Sequence, residues 1–192
     1  MGGSLHKNEL SKNSYYGDLS AIIIKNLPVW VQAIRSPRKS IALMDDWENK
    51  IERMALATVN RNITSIIGVP SWNLILMKRI LEISGKNNIF EVWPNLELFI
   101  HGGVNFNPYK EQFRKLLPSK KMNYLETYNA SEGFFAIQDR NEADDMLLML
   151  DYGIFYEFIP AEELGKTIPT ALTIEEVELD KNYALVISTN AG

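Results

Sequence analysis

Apolar residues recur at helical spacing in the segment DDWENKIERMALATVNRN, which begins at Asp45. One face of the predicted helix carries Trp47, Ile51, Met54, Ala55 and Val59. The opposite face is polar, and Glu48 stands three residues after Asp45, as in a capping box. The pattern predicts an amphipathic helix that packs against a core.

Two further helices and three strands are predicted after this helix. SIIGVP predicts a short buried strand that Pro70 ends, and Ser71 can cap the next helix, SWNLILMKRILEIS, before Gly85. LELFIHGG predicts a second strand, NPYKEQFRKLL a third helix, and an apolar run before Tyr128 a third strand. Residues 45–130 thus alternate helix and strand, which favours a largely parallel sheet with flanking helices.

The pattern changes after residue 130. Short strand-like runs follow, separated by turn residues: GFFAIQD, MLLMLDYGIFYEFIP, TIEEVEL and YALVIST. They predict a β-rich meander in the last third of an α/β protein. Residues 1–16 are polar and rich in Gly, Ser and Asn, so we expect a flexible N-terminal segment there.

Composition excludes several classes of site. The chain has 192 residues, enough for one substantial core, and a formal net charge of −4, which argues against coating a nucleic acid. It has no cysteine and only two histidines, His6 and His101, which excludes thiolate and histidine-rich metal sites. No apolar run is long enough to span a membrane, and the N-terminus does not have the pattern of a signal peptide. We therefore expect a cytoplasmic protein without a membrane partner. The four tryptophans, Trp30, Trp47, Trp72 and Trp93, lie within apolar patterns and are predicted to be core residues.

The stretch TYNASEGFF is the strongest candidate for a ligand site. It lies at the predicted carboxyl end of a strand, where open α/β sheets bind ligands. Tyr128 could stack on a base, Ser131 could donate a hydrogen bond to a phosphate, and Glu132 could ligate Mg²⁺. The alternative is a polar β-turn that binds no ligand, and the short pattern by itself favours that alternative.

Two other stretches carry weaker signals. Gly102 and Gly103 stand between a strand and a helix, where glycine permits close approach of a ligand, although a tight turn explains them equally well. His101 beside them is predicted to be a satisfied packing residue. DRNEADD could suggest calcium through Asp139, Glu142, Asp144 and Asp145, but it does not have the glycine and closing glutamate of an EF-hand and is predicted to be a solvated hairpin loop.

Four segments together resemble a known family in order and spacing: VWPNLELFIHGGVNFNPYKEQFRKLL, NYLETYNASEGFFAIQD, GIFYEFIP and YALVISTNAG. The chain resembles the auxin-responsive promoter protein family, whose plant members are acyl-acid amido synthetases of the acyl-adenylate-forming superfamily. The resemblance runs from about residue 90 to the end and is weaker over residues 17–89.

The resemblance implies a role for each candidate residue. Tyr128 matches the aromatic residue that stacks on adenine, and Ser131 matches the hydroxyl residue near the α-phosphate. Glu132 matches the glutamate that ligates Mg²⁺. Gly102 and Gly103 match the strand end whose backbone lines the adenine pocket. ATP and Mg²⁺ are thus the implied cofactors.

The resemblance also implies a two-step reaction and an incomplete domain. The family adenylates a carboxylic acid with ATP and passes the acyl group to an amine, here expected to be an amino acid. The family's Ser/Thr/Gly-rich phosphate loop, its aromatic-Arg-x-x-Gly-Asp motif and its C-terminal domain with a catalytic lysine have no match in these residues. We therefore expect residues 17–192 to be a central part of the large adenylation domain, with no catalytic residue and no activity alone. A coenzyme A ligase of the same superfamily and a non-catalytic binding or scaffold domain remain as alternatives.

Overall fold

The computed structural model describes residues 3–8, 11, 14–119, 121–141 and 143–190. Its helices are α1 (Leu19–Asn26), α2 (Val29–Ile34), α3 (Lys39–Ala42), α4 (Trp47–Thr58), α5 (Pro70–Ser84) and α6 (Lys110–Leu116). Its strands are β1 (Leu5–Lys7), β2 (Tyr15–Gly17), β3 (Ser65–Ile67), β4 (Leu98–Gly102), β5 (Asn123–Ala130), β6 (Gly133–Ile137), β7 (Leu147–Leu148), β8 (Phe155–Pro160) and β9 (Tyr183–Ser188). No helix among these residues is long and apolar enough to cross a membrane.

The predicted central helix forms, but its N-terminus is one residue later than expected. Asp46 caps α4, because its Oδ1 accepts a hydrogen bond from the backbone N–H of Asn49 at 3.1 Å. The predicted capping box of Asp45 and Glu48 was therefore wrong. The apolar face of α4 is buried as the spacing predicted.

At α5 the predicted C-terminus was right and the predicted N-cap was wrong. Gly85 ends the helix in the left-handed conformation, with φ of 65°, which confirms its predicted role. The predicted cap Ser71 was wrong, because Val69 is the N-cap and Pro70 occupies the first turn. Proline has the φ angle that a helix start requires and has no N–H that needs a partner.

A five-stranded mixed sheet is the centre of the fold. The strand order is β3-β4-β5-β6-β7, with β3–β4 and β4–β5 parallel and the other two pairs antiparallel. This arrangement confirms the alternation of helices and strands and the parallel pairing predicted for residues 45–130. The first strand, β3, was predicted to be buried, which is wrong. It lies at the edge of the sheet, and Ile67 is 63% exposed.

The last third is β-rich, as predicted, but one of the four predicted runs forms no strand and another contains two, β7 and β8. Strands β8 and β9 form a separate antiparallel pair, and Leu172 makes one isolated bridge to Phe158. Residues 173–179, TIEEVEL, were predicted to be a strand and instead form turns and irregular structure.

The described residues of the segment 1–16 include two short paired strands. Strands β1 and β2 pair antiparallel, with His6 opposite Tyr16. The flexibility expected of this segment stays a prediction.

The core is one cluster that joins α4, α5 and α6 to β4 and β5. At its centre the ring of Phe99 stacks on that of Phe113, with centroids 4.8 Å apart. Trp93 is 2% exposed, and its indole N–H donates to the carbonyl of Thr58 at the end of α4 at 3.0 Å. Trp93 is therefore a core residue, as predicted. Trp30 is 69% exposed, so its predicted core position was wrong.

We predict that Trp93→Phe lowers the free energy of unfolding by about 1–3 kcal/mol, because it removes a buried hydrogen bond and leaves a cavity. Trp30→Phe is the matched control and should change stability by less than about 0.5 kcal/mol. Urea unfolding of both variants measures the difference. Equal effects of the two substitutions would contradict this description of the core.

Candidate functional site

The strongest sequence candidate forms a tight hairpin. Strands β5 and β6 are joined by a turn whose two residues are Ser131 and Glu132, both exposed. Tyr128 precedes the turn, beside a register shift in the strand pair, and is 46% exposed. Its ring contacts that of Phe135, with centroids 5.1 Å apart and the ring planes tilted by 58°. The stretch thus contains a polar β-turn, as the alternative interpretation held. Tyr128, Ser131 and Glu132 lie on the same short hairpin. Their ligand roles stay predictions.

The predicted glycine pair lies beside this hairpin. Gly102 is aligned with Thr127 on the neighbouring parallel strand, so the glycine pair and the hairpin both lie at the carboxyl ends of β4 and β5. A Cβ atom on Gly102 would overlap the carbonyl oxygen of Thr127, and Gly103 has φ of 80°, a conformation that favours glycine. The side-chain hydroxyl of Thr127 donates to the carbonyl of His101 at 3.0 Å and fixes the two strand ends to each other.

The donor set suits Mg²⁺ held mainly by a nucleotide. No group of three or more Asp, Glu or His side chains that could hold a metal occurs among the described residues. Glu132 is therefore the single predicted metal ligand on the hairpin. One carboxylate with substrate phosphates and waters is a common arrangement for Mg²⁺, so the residues fit the implied ion.

A cleft of about 1080 Å³ lies between α6, the face of β4 and β5, and residues 143–146. Its lining includes His101, Phe106, Lys110, Arg114, Tyr124 and Glu126. None of the five residues predicted to bind nucleotide or metal lines it, although His101 adjoins Gly102. Sequence reasoning missed this cleft. One sequence feature could have indicated the cleft: Glu126 is a charged residue within a predicted strand, two residues before Tyr128.

His101 is buried at the cleft but is not satisfied. It is 3% exposed, and its ring packs on Phe106 with centroids 4.1 Å apart. Its Nδ1 is buried and has no hydrogen-bond partner among the described residues. The prediction of a packing residue was right, and the prediction that its polar atoms are satisfied was wrong. Burial, and secondly the charge of Lys110, lower the pKa of His101 to about 4, so the ring is neutral at pH 7.

Burial also raises the pKa values of two acidic groups in the cleft, Glu126 and Tyr124. Burial raises the pKa of Glu126, and the nearby charge of Lys110 opposes that shift. Burial raises the pKa of Tyr124 to about 12, so its phenol stays protonated at neutral pH. Gln138 fixes the cleft wall, since its Oε1 accepts from the backbone N–H of Glu126 at 3.0 Å and its amide group donates to the carbonyl of Ala143.

The acidic loop DRNEADD does not form a described cation site. Asp145 makes an ion pair with Arg140 at 2.9 Å, and Asp144 is exposed. Glu142 lies outside the described residues. A solvated loop between β6 and β7 agrees with the sequence prediction.

Comparisons with known proteins give the class and then the family. In overall fold the chain is similar to the solved structure of the GH3.15 acyl acid amido synthetase, with a TM-score of 0.69 and 10% identity over 98% of this chain and 42% of that one. It is 24% identical over 169 residues to an indole-3-acetic acid-amido synthetase, GH3.3, of Arabidopsis thaliana, covering 78% of this chain and 28% of that protein. Residues 4–122 match the GH3 family N-terminal domain, and residues 147–192 match the GH3 family central domain. The chain belongs to the GH3 family, which confirms the resemblance to the auxin-responsive family. It spans less than half the length of either relative.

We predict that Gly102→Ala lowers the free energy of unfolding by about 3 kcal/mol, because the added methyl group would overlap the carbonyl of Thr127. Gly85→Ala is the control: it has a positive φ but open space around its Cβ, so it should cost only about 1 kcal/mol. Denaturant unfolding distinguishes the two. A Gly102→Ala variant as stable as the parent would show that the strands separate without cost.

We predict that the ring of His101 titrates near pH 4 in the folded chain, which NMR of its carbon-bound ring protons measures directly. The folded state holds the neutral form, whereas the unfolded chain protonates near pH 6.5. His101 therefore stabilises the fold fully above pH 6.5, and this contribution is lost as the pH falls from 6.5 to 4, by on the order of 2–3 kcal/mol.

The control for this pH dependence is His101→Gln. The variant should lose less stability than the parent between pH 7 and pH 4.5, because other acidic groups titrate in both proteins and cancel in the comparison. An identical loss in the two proteins would show that His101 is not linked to folding.

Proposed function

We propose that this chain is part of an ATP-dependent acyl-acid amido synthetase that adenylates a carboxylic acid and transfers the acyl group to an amine, an amino acid. One observation carries the proposal: in a GH3 family chain, the Tyr128 hairpin and the Gly102–Gly103 strand end lie side by side at the carboxyl ends of parallel strands. The names of both relatives, amido synthetases, favour an amine over the thiol of coenzyme A as acceptor.

The hairpin residues would divide the binding of ATP among them. The half-exposed ring of Tyr128 would stack on adenine, and its contact with Phe135 would help to hold the ring in position. The backbone of Gly102 and Gly103 would line the adenine pocket. The Cβ side of Gly102 is filled by the carbonyl of Thr127, so Gly103, which meets only Val69 Cγ2 at 3.7 Å, would leave the space for the base. Ser131 would donate a hydrogen bond near the α-phosphate, and Glu132 would hold Mg²⁺, which neutralises charge on the phosphates.

The chemistry itself needs no covalent enzyme intermediate. An oxygen of the acid attacks the α-phosphorus of ATP, the bond to pyrophosphate breaks, and acyl-AMP forms. The amine then attacks the acyl carbon, AMP leaves with the electrons of the broken bond, and the amine proton passes to solvent. The chain's contribution would be positioning and electrostatic stabilisation.

These 192 residues would not complete the reaction alone. The groups that the resemblance places in the family's phosphate loop, ribose-binding motif and catalytic lysine have no match in the sequence. We propose that residues 17–192 supply the adenine and metal contacts of a larger adenylation domain.

We predict that millimolar ATP with Mg²⁺ shifts the backbone NMR signals of residues 128–133 in this chain and that Tyr128→Ala weakens binding about tenfold or more, since base–aromatic stacking contributes about 1–3 kcal/mol. Tyr16→Ala is the matched control, because Tyr16 is 59% exposed and lies on β2 in a separate two-stranded sheet. Glu132→Gln should reduce the Mg²⁺ dependence of the shifts while leaving binding of AMP without metal unchanged. Shifts that are absent from the hairpin, or that survive Tyr128→Ala, would refute the nucleotide site.

A further inference from the structure

The part of β5 that carries Tyr128 extends past the end of β4. Gly102 and Thr127 are the last aligned pair of these two parallel strands, whereas β5 continues to Ala130. Within the described structure, β5 therefore pairs only with β6 from Tyr128 onward, and the register of that pair shifts between Tyr128 and Asn129. The ring proposed to stack on adenine thus lies on a strand end that has one neighbouring strand and an irregular ladder.

A side-chain hydrogen bond links this strand end to the end of β4. The hydroxyl of Thr127, the residue before Tyr128, donates to the carbonyl of His101 at 3.0 Å. Among the described residues, no other side-chain hydrogen bond joins β4 to β5 or to the hairpin turn. This bond therefore holds the start of the hairpin against the residue that precedes the glycine pair.

The absence of a side chain at Gly102 leaves room for this hydroxyl. A Cβ atom at Gly102 would lie 2.8 Å from Oγ1 of Thr127 and would also overlap the carbonyl of Thr127. The Cβ position of Gly103, by contrast, meets only a methyl group of Val69, at 3.7 Å. Thr127 thus packs closely against the Gly102 side of the strand end, and the Gly103 side stays open.

We propose that Thr127 is a positioning residue of the nucleotide site. Its hydroxyl fixes the separation between Tyr128 and the Gly102–Gly103 strand end, which are the two walls of the adenine pocket in the proposed function. Thr127 acts through the carbonyl of His101 on one wall and through the backbone of Tyr128 on the other. Walls that are already held at this separation favour binding, because less conformational freedom is lost when the base enters. The inference rests on the proposed function and adds the residue that fixes the separation.

Two substitutions distinguish the hydroxyl from the shape of the side chain. Thr127→Val replaces the hydroxyl with a methyl group of similar size, and valine suits a strand, so the variant should fold. Thr127→Ser keeps the hydroxyl and removes the methyl group. The probe is AMP without metal, followed by NMR titration of residues 128–133, because it reports on the adenine walls without the Mg²⁺ ligand Glu132.

We expect Thr127→Val to weaken AMP binding about fivefold, the factor to which one net hydrogen bond corresponds. Thr127→Ser should bind AMP within about twofold of the parent, since it can still donate to the carbonyl of His101. This rescue by serine is the result that a purely structural role of the side-chain volume would not give.

A measurement without ligand shows whether the hydroxyl acts on both walls. The backbone amide signals of Gly102, Gly103 and Tyr128 should shift in Thr127→Val and return toward the parent positions in Thr127→Ser. Thr173→Val is the matched control, because this exposed threonine donates its hydroxyl to a nearby glutamate at 2.9 Å in another part of the chain. Its loss should change neither these signals nor the affinity for AMP.

The outcomes distinguish this inference from the proposed function. Binding of AMP at the hairpin that Thr127→Val weakens and Thr127→Ser restores would support the inference. Parent-like affinity of Thr127→Val, or an equal loss in the two variants, would overturn the inference alone, since the parent would still bind nucleotide at the hairpin. A parent chain that binds no AMP at the hairpin would contradict both the inference and the proposed function.

Discussion

The close approach of β4 and β5 at Gly102 is the constraint on which both candidate sites depend. A methyl group at this position would overlap the carbonyl of Thr127, and the hydroxyl of Thr127 ties the strand ends through His101. The parallel register then places Gly102 opposite Thr127 and His101 opposite Glu126. Side chains alternate along a strand, so neighbouring residues point to opposite faces. The same few residues therefore position both the carboxyl ends of β4 and β5 and the face of the sheet beneath α6.

The core beneath the strands keeps this edge in place. Phe99 lies two residues before His101 and stacks on Phe113 of α6, while Tyr124 lies two residues before Glu126 and closes the same aromatic cluster. α6 is therefore fixed relative to β4 and β5 by aromatic packing. Its cations Lys110 and Arg114 consequently face a cleft with a buried, well-packed floor.

The sequence predicted those features that depend on local pattern. The periodicity of α4, the glycine that ends α5 and the alternation of helix and strand were readable, because each reflects a few neighbouring residues. The exposure of Ile67 was not, since an edge strand and a central strand have the same apolar pattern and only the sheet order separates them. The strand predicted at residues 173–179 was wrong, because Ile174 and Val177 are residue types typical of strands but this segment pairs with no strand in the described structure.

The candidate sites also differ in whether local sequence or tertiary structure determines them. The Tyr128 hairpin and the glycine pair could be proposed from the sequence through their resemblance to a family, and the structure places them on adjacent strand ends. The cleft could not be predicted, because Lys110, Glu126 and His101 come from different elements and meet only through the sheet register. The unsatisfied Nδ1 of His101 is likewise a property of packing, which no motif records.

The most direct test of the central claim is a crystal structure of the chain grown with a millimolar non-hydrolysable ATP analogue and Mg²⁺. The account predicts adenine stacked on Tyr128 beside Gly102 and Gly103, with Mg²⁺ held by the carboxylate of Glu132. A nucleotide bound elsewhere, with the hairpin free of ligand, would contradict it.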